Sequence, residues 1–133
     1  MKHFCEMPAG QYYVGDLCYV MHEEWNEFCN VTIKDNECLQ GKFRLKNGVE
    51  FVTFHTKWGD GEYRDRSGNR YSVDAGLIGC VKLSDIDQTN QDNQLDGGMV
   101  MEFPRDFVCF NDDGVLRFGP VEIDTVGQWD DDY

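Results

Sequence analysis

A cysteine, a histidine and an aspartate could together carry out thiol chemistry in this chain: Cys18, His55 and Asp60. A cysteine becomes a strong nucleophile when an imidazole takes its proton and a carboxylate orients the imidazole. Burial is the competing interpretation, because Cys18 lies in the apolar run 17–21 and cysteine packs as a small hydrophobic residue. A thiol-dependent hydrolase is therefore the alternative hypothesis for function. The other candidates for the base and for the orienting carboxylate are His22 and Asp16.

A second group of residues, between positions 57 and 71, could bind a small anion. Arginine and lysine pair with phosphate oxygens, and aromatic rings offer stacking surfaces for a nucleobase. The glycines that flank Asp60 would let the backbone approach a ligand closely, although a tight turn alone also requires them. Cations on hairpin strands are also common as solvent-facing groups. The predicted site for a nucleotide-like anion comprises Lys57, Trp58, Asp60, Tyr63, Arg64, Arg66, Arg70 and Tyr71.

The polar stretch 84–98 offers oxygen ligands of the kind that calcium prefers. Asp85, Asp87 and Asp96 are its candidate ligands. A calcium-binding EF-hand loop has glycine at its sixth position and glutamate at its twelfth, and here those positions hold Asn90 and Asp96. No His, Cys or carboxylate cluster has zinc spacing. Calcium is thus a minor alternative, and the sequence predicts neither a metal nor a cofactor.

Charge is distributed unevenly along a chain whose formal net charge is −13. The segment from Ser84 onward carries thirteen acidic side chains against Arg105 and Arg117. Such a segment repels phosphates, so direct binding of nucleic acid is not expected. Two interpretations remain open: the acidic surface occupies a basic site on another protein, or it only keeps the chain soluble.

Short strands joined by tight turns must position these residues. Glycine-containing turns at 59–61 and 67–69 bound alternating runs at 62–65 and 70–74, which predicts a hairpin that leads into a third strand, 77–83. Asn47-Gly48 predicts a second hairpin with positive φ at both residues. Further strands or β-prone runs are expected at 11–14, 17–21, 41–45, 49–54, 99–103, 107–110, 115–118 and 121–126, and a loop at 34–38.

One short helix is expected at about residues 22–31, because Trp25, Phe28 and Cys29 share a helical face. The prediction is a mainly β (α+β) fold: one domain over residues 1–133, built as a small barrel or a two-layer sandwich with that helix. Three flanking segments complete it: a lead-in arm at 1–10, a polar acidic loop at 84–98 and an acidic tail at 127–133.

The location of the protein is predicted from two absences. No apolar run approaches the about 20 residues that cross a bilayer, and residues 1–10 lack the apolar segment of a secretory signal. We therefore expect a cytoplasmic protein without membrane contact, whose thiols stay reduced. The cysteines are Cys5, Cys18, Cys29, Cys38, Cys80 and Cys109, of which the last two are expected to be buried.

Two stretches resemble a set of small uncharacterised proteins scattered through bacteriophages and bacteria. The first is Gly15-Asp16-Leu17-Cys18-Tyr19-Val20, followed by Trp25; the second runs from Thr56 to Gly79 and includes Gly59-Asp60-Gly61-Glu62-Tyr63 and Val73-Asp74. A proline often stands in that set where this chain has Leu17. The resemblance covers roughly residues 12–79 and carries no assigned reaction. It implies a compact accessory protein of the kind that phages encode.

Together these observations favour a non-enzymatic binding protein over an enzyme. In a phage setting its expected role is to inhibit host defence, in one of two ways. It would sequester a nucleotide-like ligand through the 57–71 region, or it would block a basic site on a host protein through its acidic surface.

Overall fold

Two antiparallel sheets carry most of the chain in the computed structural model, which describes residues 2–21, 24–86 and 97–126. The four-stranded sheet has the order β1 (Lys2–Met7), β11 (Phe107–Asp112), β12 (Val115–Phe118) and β13 (Val121–Asp124). The five-stranded sheet has the order β10 (Gly98–Phe103), β2 (Gly10–Gly15), β9 (Leu77–Lys82), β6 (Glu50–His55) and β5 (Gly41–Arg44). The predicted mainly β fold is confirmed in its sandwich form, since neither sheet closes on itself.

Two small hairpins and three helical segments complete the described part of the chain. The hairpins pair β3 (Ile33–Lys34) with β4 (Glu37–Cys38), and β7 (Gly61–Arg64) with β8 (Arg70–Val73). Helix α1 spans Trp25–Thr32, and 3-10 helices span Leu17–Tyr19 and Leu83–Asp85. None of these helices has the length and apolar character that a membrane span requires.

The five-stranded sheet lies in the middle of the molecule and is buried on both faces. Val52 and Phe54 of β6 pack against the four-stranded sheet, whereas Phe51, which points the other way, packs on α1. Side chains of a strand alternate between its two faces, so a sheet covered on both sides needs apolar residues at successive positions. In β2, β6 and β9 at least four successive residues are accordingly buried.

Helix α1 is held on the central sheet by a series of aromatic contacts. The rings of Trp25 and Phe28 stack at 4.4 Å, and Phe28 stacks on Phe51 at 4.6 Å between centroids. Full burial of one such phenyl ring contributes about 1.5–3 kcal/mol. The predicted helix and its apolar face are therefore confirmed, while His22 at its expected start lies outside the described residues.

The β7–β8 hairpin closes one side of the sandwich instead of extending a sheet. Its strands contact β13 of one sheet and β10 of the other, and Asp65 in its turn forms an isolated bridge with Ile123. The predicted hairpin and the following strand β9 are thus both present. However, they belong to different sheets, because the buried rings of Tyr63 and Tyr71 carry the hairpin into the space between the layers.

Three local predictions need correction. Residues 1–10 are not merely a lead-in arm, because β1 pairs with β11 and Phe4 lies opposite Phe110. Residues 17–21 begin as a 3-10 helix and not as a strand, since Asp16 accepts a hydrogen bond from the Cys18 amide and caps that turn. The expected loop at 34–38 is a tight hairpin.

The turn chemistry explains that last difference. Asp35 and Asn36 both have positive φ, 53° and 66°, as a two-residue hairpin turn demands. At the predicted turn Asn47-Gly48 only the glycine has positive φ, while the Asn47 side chain accepts the Val49 amide at 3.0 Å. Both hairpins form, but by different turns.

The predicted acidic loop is described only at its two ends, and the predicted tail 127–133 lies outside the described residues.

Candidate functional site

A pocket of about 300 Å³ lies between α1, the β3–β4 hairpin and the adjoining ends of β6 and β9. We call it the α1 pocket. Aromatic and aliphatic groups form most of its wall, and no Asp, Glu, Lys or Arg side chain lines it. Its lining residues are Trp25, Phe28, Cys29, Thr32, Ile33, Cys38, Leu39, Thr53, His55, Ala75, Gly76 and Leu77.

The hydroxyl of Thr53 is the unusual polar group of the α1 pocket. The residue is 1% exposed, and its Oγ1 is the one buried side-chain polar atom without a hydrogen-bond partner in the described ranges. Its cross-strand neighbours, Gly41 and Gly79, carry no side chain that could pair with it. Buried polar atoms are nearly always paired in native proteins, so an unpaired hydroxyl at a pocket wall marks a point where a ligand group can bond.

An amide network holds the β6 side of the pocket in place. The His55 backbone amide donates to Gln40 Oε1 at 2.8 Å, and Asn111 Nδ2 donates to the same oxygen at 2.7 Å. Asn111 Nδ2 also approaches the His55 carbonyl oxygen at 3.2 Å. These bonds link β6 to β11 of the facing sheet. The wall that carries Thr53 and His55 is consequently preorganised.

The Cys29 thiol of the pocket is a neutral group. Burial raises the pKa of the Cys29 thiol, and the proximity of Cys38 raises it further. A protonated thiol is only a weak hydrogen-bond donor and acceptor. The α1 pocket therefore offers an apolar surface with a hydroxyl, two thiols and an imidazole, which suits a largely apolar ligand and not a polyphosphate.

Cys18 occupies a different environment from the one that a nucleophile needs. Burial, a hydrogen bond to Asp16 and the charges of Asp16 and Asp74 raise the pKa of its thiol to about 12. At pH 7 roughly one thiol in 100,000 would be ionised. Cys18 does not line the pocket that contains His55. The geometry thus opposes the alternative hypothesis of a Cys18–His55 hydrolase.

Asp16 has a structural role that the sequence did not reveal. Its carboxylate is fully buried and accepts the backbone amides of Cys18 at 3.0 Å and of Asp74 and Ala75 at 2.7 Å each. It therefore ties the 3-10 helix to the segment before β9. Ala75 lines the α1 pocket, so this carboxylate also fixes part of the pocket wall.

Asp60 is exposed in a turn whose glycines are explained by backbone conformation. Gly59 and Gly61 have φ of 81° and 146°, which residues with a Cβ rarely adopt. The Gly59 carbonyl oxygen accepts the hydroxyls of Thr56 at 2.6 Å and Tyr63 at 3.0 Å. This turn is held by its own hydrogen bonds, and nothing in it places Asp60 beside His55 or Cys18.

The predicted anion site between residues 57 and 71 is not assembled as a single surface. Tyr63 and Tyr71 are 2% and 0% exposed, so their rings cannot stack on a ligand, and that part of the prediction is wrong. Arg66 pairs with Glu122 at 2.6 Å and Arg70 approaches Glu62 at 3.6 Å. The tyrosines alternate with charged residues because the hairpin buries one face in the sandwich.

The remaining members of that predicted site are exposed. Trp58 is 43% exposed and donates its indole N–H to the Val126 carbonyl oxygen at 3.0 Å. Lys57 Nζ lies 6.0 Å from the centroid of that indole ring. Arg64 is exposed on β7. These groups offer a tryptophan and cations, but not the enclosed aromatic clamp that the sequence suggested.

Asp65 is a further buried carboxylate whose role the sequence pattern did not show. It accepts the Tyr71 hydroxyl at 2.7 Å, the backbone amides of Ser67 at 2.9 Å and Asn69 at 3.0 Å, and the Asn69 side chain at 3.0 Å. Burial acts to raise its pKa, but these hydrogen bonds outweigh burial, and the pKa of Asp65 is lowered. Burial, and next the hydrogen bond to Asp65, raise the pKa of the Tyr71 hydroxyl.

One of the three candidate calcium ligands lies in the described part of the chain. Asp85 lies in the 3-10 helix Leu83–Asp85, whereas Asp87 and Asp96 lie outside the described residues. In the ranges 2–21, 24–86 and 97–126 no group of three or more His, Cys, Asp or Glu side chains has a geometry that could hold a metal ion.

Sequence reasoning identified individual residues of the α1 pocket but not the pocket itself. It named His55 as a base and Cys29 as part of a helical face, and it did not select Thr53. A signal existed, because Trp25, Cys29 and Thr32 recur at helical spacing, and Thr53 lies two positions after Phe51 and so on the same face of its strand. No protein-family model matches the chain, and neither a curated protein nor a solved structure shows significant similarity to it.

Proposed function

We propose that this chain is a non-enzymatic binding protein that holds a small, predominantly apolar molecule in the α1 pocket. One observation carries the proposal: Thr53, whose buried hydroxyl has no hydrogen-bond partner, lines an apolar pocket of about 300 Å³. Small-molecule sites are typically apolar clefts of this size with a few polar groups that orient the ligand. The Thr53 hydroxyl is such a group.

The pocket favours a ligand that has a hydrogen-bonding atom at one end. An unpaired buried hydroxyl costs about 1–3 kcal/mol, and a ligand acceptor or donor placed against it removes that cost on binding. The apolar remainder of the ligand gains about 25 cal/mol for each Å² that it buries. Affinity comes mainly from the aromatic wall, while selectivity comes from Thr53.

The pocket disfavours the charged ligand that the sequence suggested. Its wall has no Lys or Arg side chain, and the chain carries a formal net charge of −13. Sequestration remains the proposed mode of action, with a neutral and largely apolar ligand in place of a nucleotide-like anion. With the phage resemblance, we infer an intracellular protein that withholds a small molecule from host defence.

The first experiment identifies what the protein carries. The full chain is purified from phage-infected cells, denatured, and its released small molecules are compared by mass spectrometry with those from Cys29→Phe. Cys29 lines the α1 pocket, so the larger phenyl ring takes up ligand space there, and we expect a stoichiometric species from the wild type and its loss from the variant. An identical set of released molecules from the two proteins would refute the proposal.

A pair of isosteric substitutions then tests the role of the hydroxyl. Thr53→Val removes the unpaired group, and we expect about tenfold weaker binding of the identified ligand. Thr32→Val is the matched control, because Thr32 lines the same pocket but already donates its hydroxyl to the Phe28 carbonyl oxygen at 2.8 Å. Equal losses in the two variants would exclude a specific role for Thr53.

Blocking of a basic host protein is the second candidate function. The observation in its favour concerns the β11–β12 turn, where Asp112 and Asp113 are exposed. Val115 of β12 pairs with Asp112 on one side and with Asp124 on the other, so these two aspartates lie on the strands that flank β12. Affinity that depends on this acidic end should fall steeply as salt rises, because the Debye length shortens from about 10 Å at 0.1 M to about 3 Å at 1 M. A partner captured with equal affinity at both salt concentrations would remove this mechanism.

A further inference from the structure

A second pocket, of about 330 Å³, lies where the β10–β11 connection meets the β12–β13 connection. We call it the Arg105 pocket. It shares no lining residue with the α1 pocket, and its chemistry differs because two guanidinium groups line it. Around them are aromatic and aliphatic side chains. Its apolar wall consists of Phe103, Pro104, Phe107, Val108 and Pro120.

The apolar wall is rigid before any ligand arrives. The rings of Phe103 and Phe107 stack with centroids 3.8 Å apart and an interplanar angle of 14°. Tyr12 packs edge-on against both, at 5.6 Å and 5.0 Å, and donates its hydroxyl to the Pro8 carbonyl oxygen at 2.7 Å. Aromatic groups locked in this way present a surface that a ligand need not order.

Glycine at position 119 is required for this pocket to form. Its φ is +60°, and a Cβ there would lie 3.1 Å from Phe107 Cβ and 3.2 Å from Phe103 Cε1. Its amide donates to the Val108 carbonyl oxygen at 2.9 Å. The β12–β13 connection is thereby held against the aromatic pair.

The charges around the pocket leave a positive excess. Glu122 is shared by two guanidiniums: Arg117 donates to its Oε1 and Arg66 to its Oε2 at 2.6 Å. The hydrogen bonds from Arg66 and Arg117 lower the pKa of Glu122, so this group of three carries one net positive charge. Arg105 is exposed at the pocket and adds a second. Asp106, whose Oδ1 accepts the Ala9 amide at 2.9 Å, subtracts one.

We propose that the Arg105 pocket binds a small monocarboxylate with an aromatic or aliphatic body. The carboxylate pairs with Arg105 and with the Arg117 N–H donors that bond neither Glu122 nor the Gly119 carbonyl oxygen, since guanidinium groups bind carboxylates through paired N–H donors. The apolar body lies against the phenyl and proline side chains. With Asp106 included, the groups around the pocket carry one net positive charge. This matches a ligand with one negative charge and disfavours a polyphosphate.

The test is an NMR titration of the full ¹⁵N-labelled chain with phenylacetate, and in parallel with phenylacetamide as its neutral counterpart. We expect phenylacetate to shift the backbone amides of Phe107, Val108 and Gly119 with saturation, and phenylacetamide to bind about tenfold more weakly. Equal affinity for the acid and the amide, or no saturable shift with the acid, would overturn the proposal.

Charge variants separate a specific ion pair from general electrostatics. Arg105→Gln should weaken phenylacetate binding by about fivefold to tenfold. Arg44→Gln is the matched control, since Arg44 is an exposed arginine on β5 of the other sheet that pairs with Glu50 at 2.8 Å. Equal weakening in both variants contradicts the site. Shifts confined to residues of the α1 pocket also contradict it, and they would leave the proposed function of that pocket standing.

Discussion

Asp16 accepts a hydrogen bond from the backbone amide of Ala75 at 2.7 Å, across 59 positions of sequence. The two residues lie in two separate stretches of the chain, 15–20 and 56–79, and this contact brings those stretches together. The same carboxylate oxygen accepts the Asp74 amide, and Thr56 donates its amide to the Gly76 carbonyl oxygen at 3.1 Å. A buried carboxylate therefore organises the edge of the α1 pocket.

Replacing this carboxylate should destabilise the protein strongly. In the native protein the two carboxylate oxygens of Asp16 accept three backbone amides. Asp16→Asn leaves one acceptor oxygen and turns an N–H₂ group toward at least one of these amide donors. Hydrogen bonds to a charged group contribute about 1.5–3 kcal/mol each, so we expect the free energy of unfolding to fall by at least about 2 kcal/mol. Urea denaturation followed by circular dichroism measures the change.

The control for this prediction is the same substitution at an exposed aspartate. Asp74 is exposed and contributes only its backbone amide to Asp16. Asp74→Asn should therefore change stability by less than about 0.5 kcal/mol. Similar losses in the two variants would show that Asp16 is not the organising residue.

Thr53→Val should raise the stability of the ligand-free protein. The valine methyl group replaces a buried hydroxyl that has no partner, which removes a cost of about 1–3 kcal/mol. Thr125→Val is the matched control, because Thr125 is also fully buried but accepts the Lys57 amide at 2.9 Å and donates to the Gly114 carbonyl oxygen. The control should lose stability in thermal unfolding, and a loss of stability in Thr53→Val would contradict the geometry.

Cys18 should react slowly with thiol reagents. Its pKa of about 12 follows first from burial and then from Asp16, so its alkylation rate should keep rising about tenfold per pH unit beyond pH 9. Cys38 is exposed and serves as the internal reference in the same sample. Peptide mapping after brief iodoacetamide treatment measures both sites. Preferential labelling of Cys18 at pH 7 would revive the hydrolase alternative.

Asp65 should contribute to stability in a pH-dependent way. Its hydrogen bonds lower its pKa in the folded chain below the ordinary value of 3.8, so its contribution is complete above about pH 4. That contribution is lost as the pH falls through the folded pKa. Asp65→Asn should consequently destabilise the protein more at pH 7 than at pH 3, as measured by urea denaturation.

The exposed Asp60 provides the comparison for Asp65. Asp60→Asn removes a carboxylate from a neighbouring turn of the same hairpin, where no buried donors surround it. It should have a small effect at both pH values. A pH-independent loss of stability in Asp65→Asn would show that the lowered pKa does not contribute to folding.

The elements that depend on local chemistry could be predicted from the sequence. Gly114, with φ of +104°, follows Asp113 in the predicted β11–β12 turn, and Trp25 and Phe28 lie on the predicted helical face. Positive φ and helical spacing are properties of a few consecutive residues, so the sequence contains the whole cause. The hairpin found where a loop was expected, at 34–38, also has a local cause. Asp35 and Asn36 form its turn, and the polar residues around them favoured the prediction of a loop.

By itself, then, the sequence determined the acidic composition, the short antiparallel strands and the α-helix Trp25–Thr32 with its aromatic face. Only the tertiary structure decided that β1 pairs with β11 a hundred positions away, that Tyr63 and Tyr71 are buried, and that Thr53 faces a pocket. Strand partners and pockets depend on contacts between distant residues, whose loop-closure entropy and packing no short window of sequence contains.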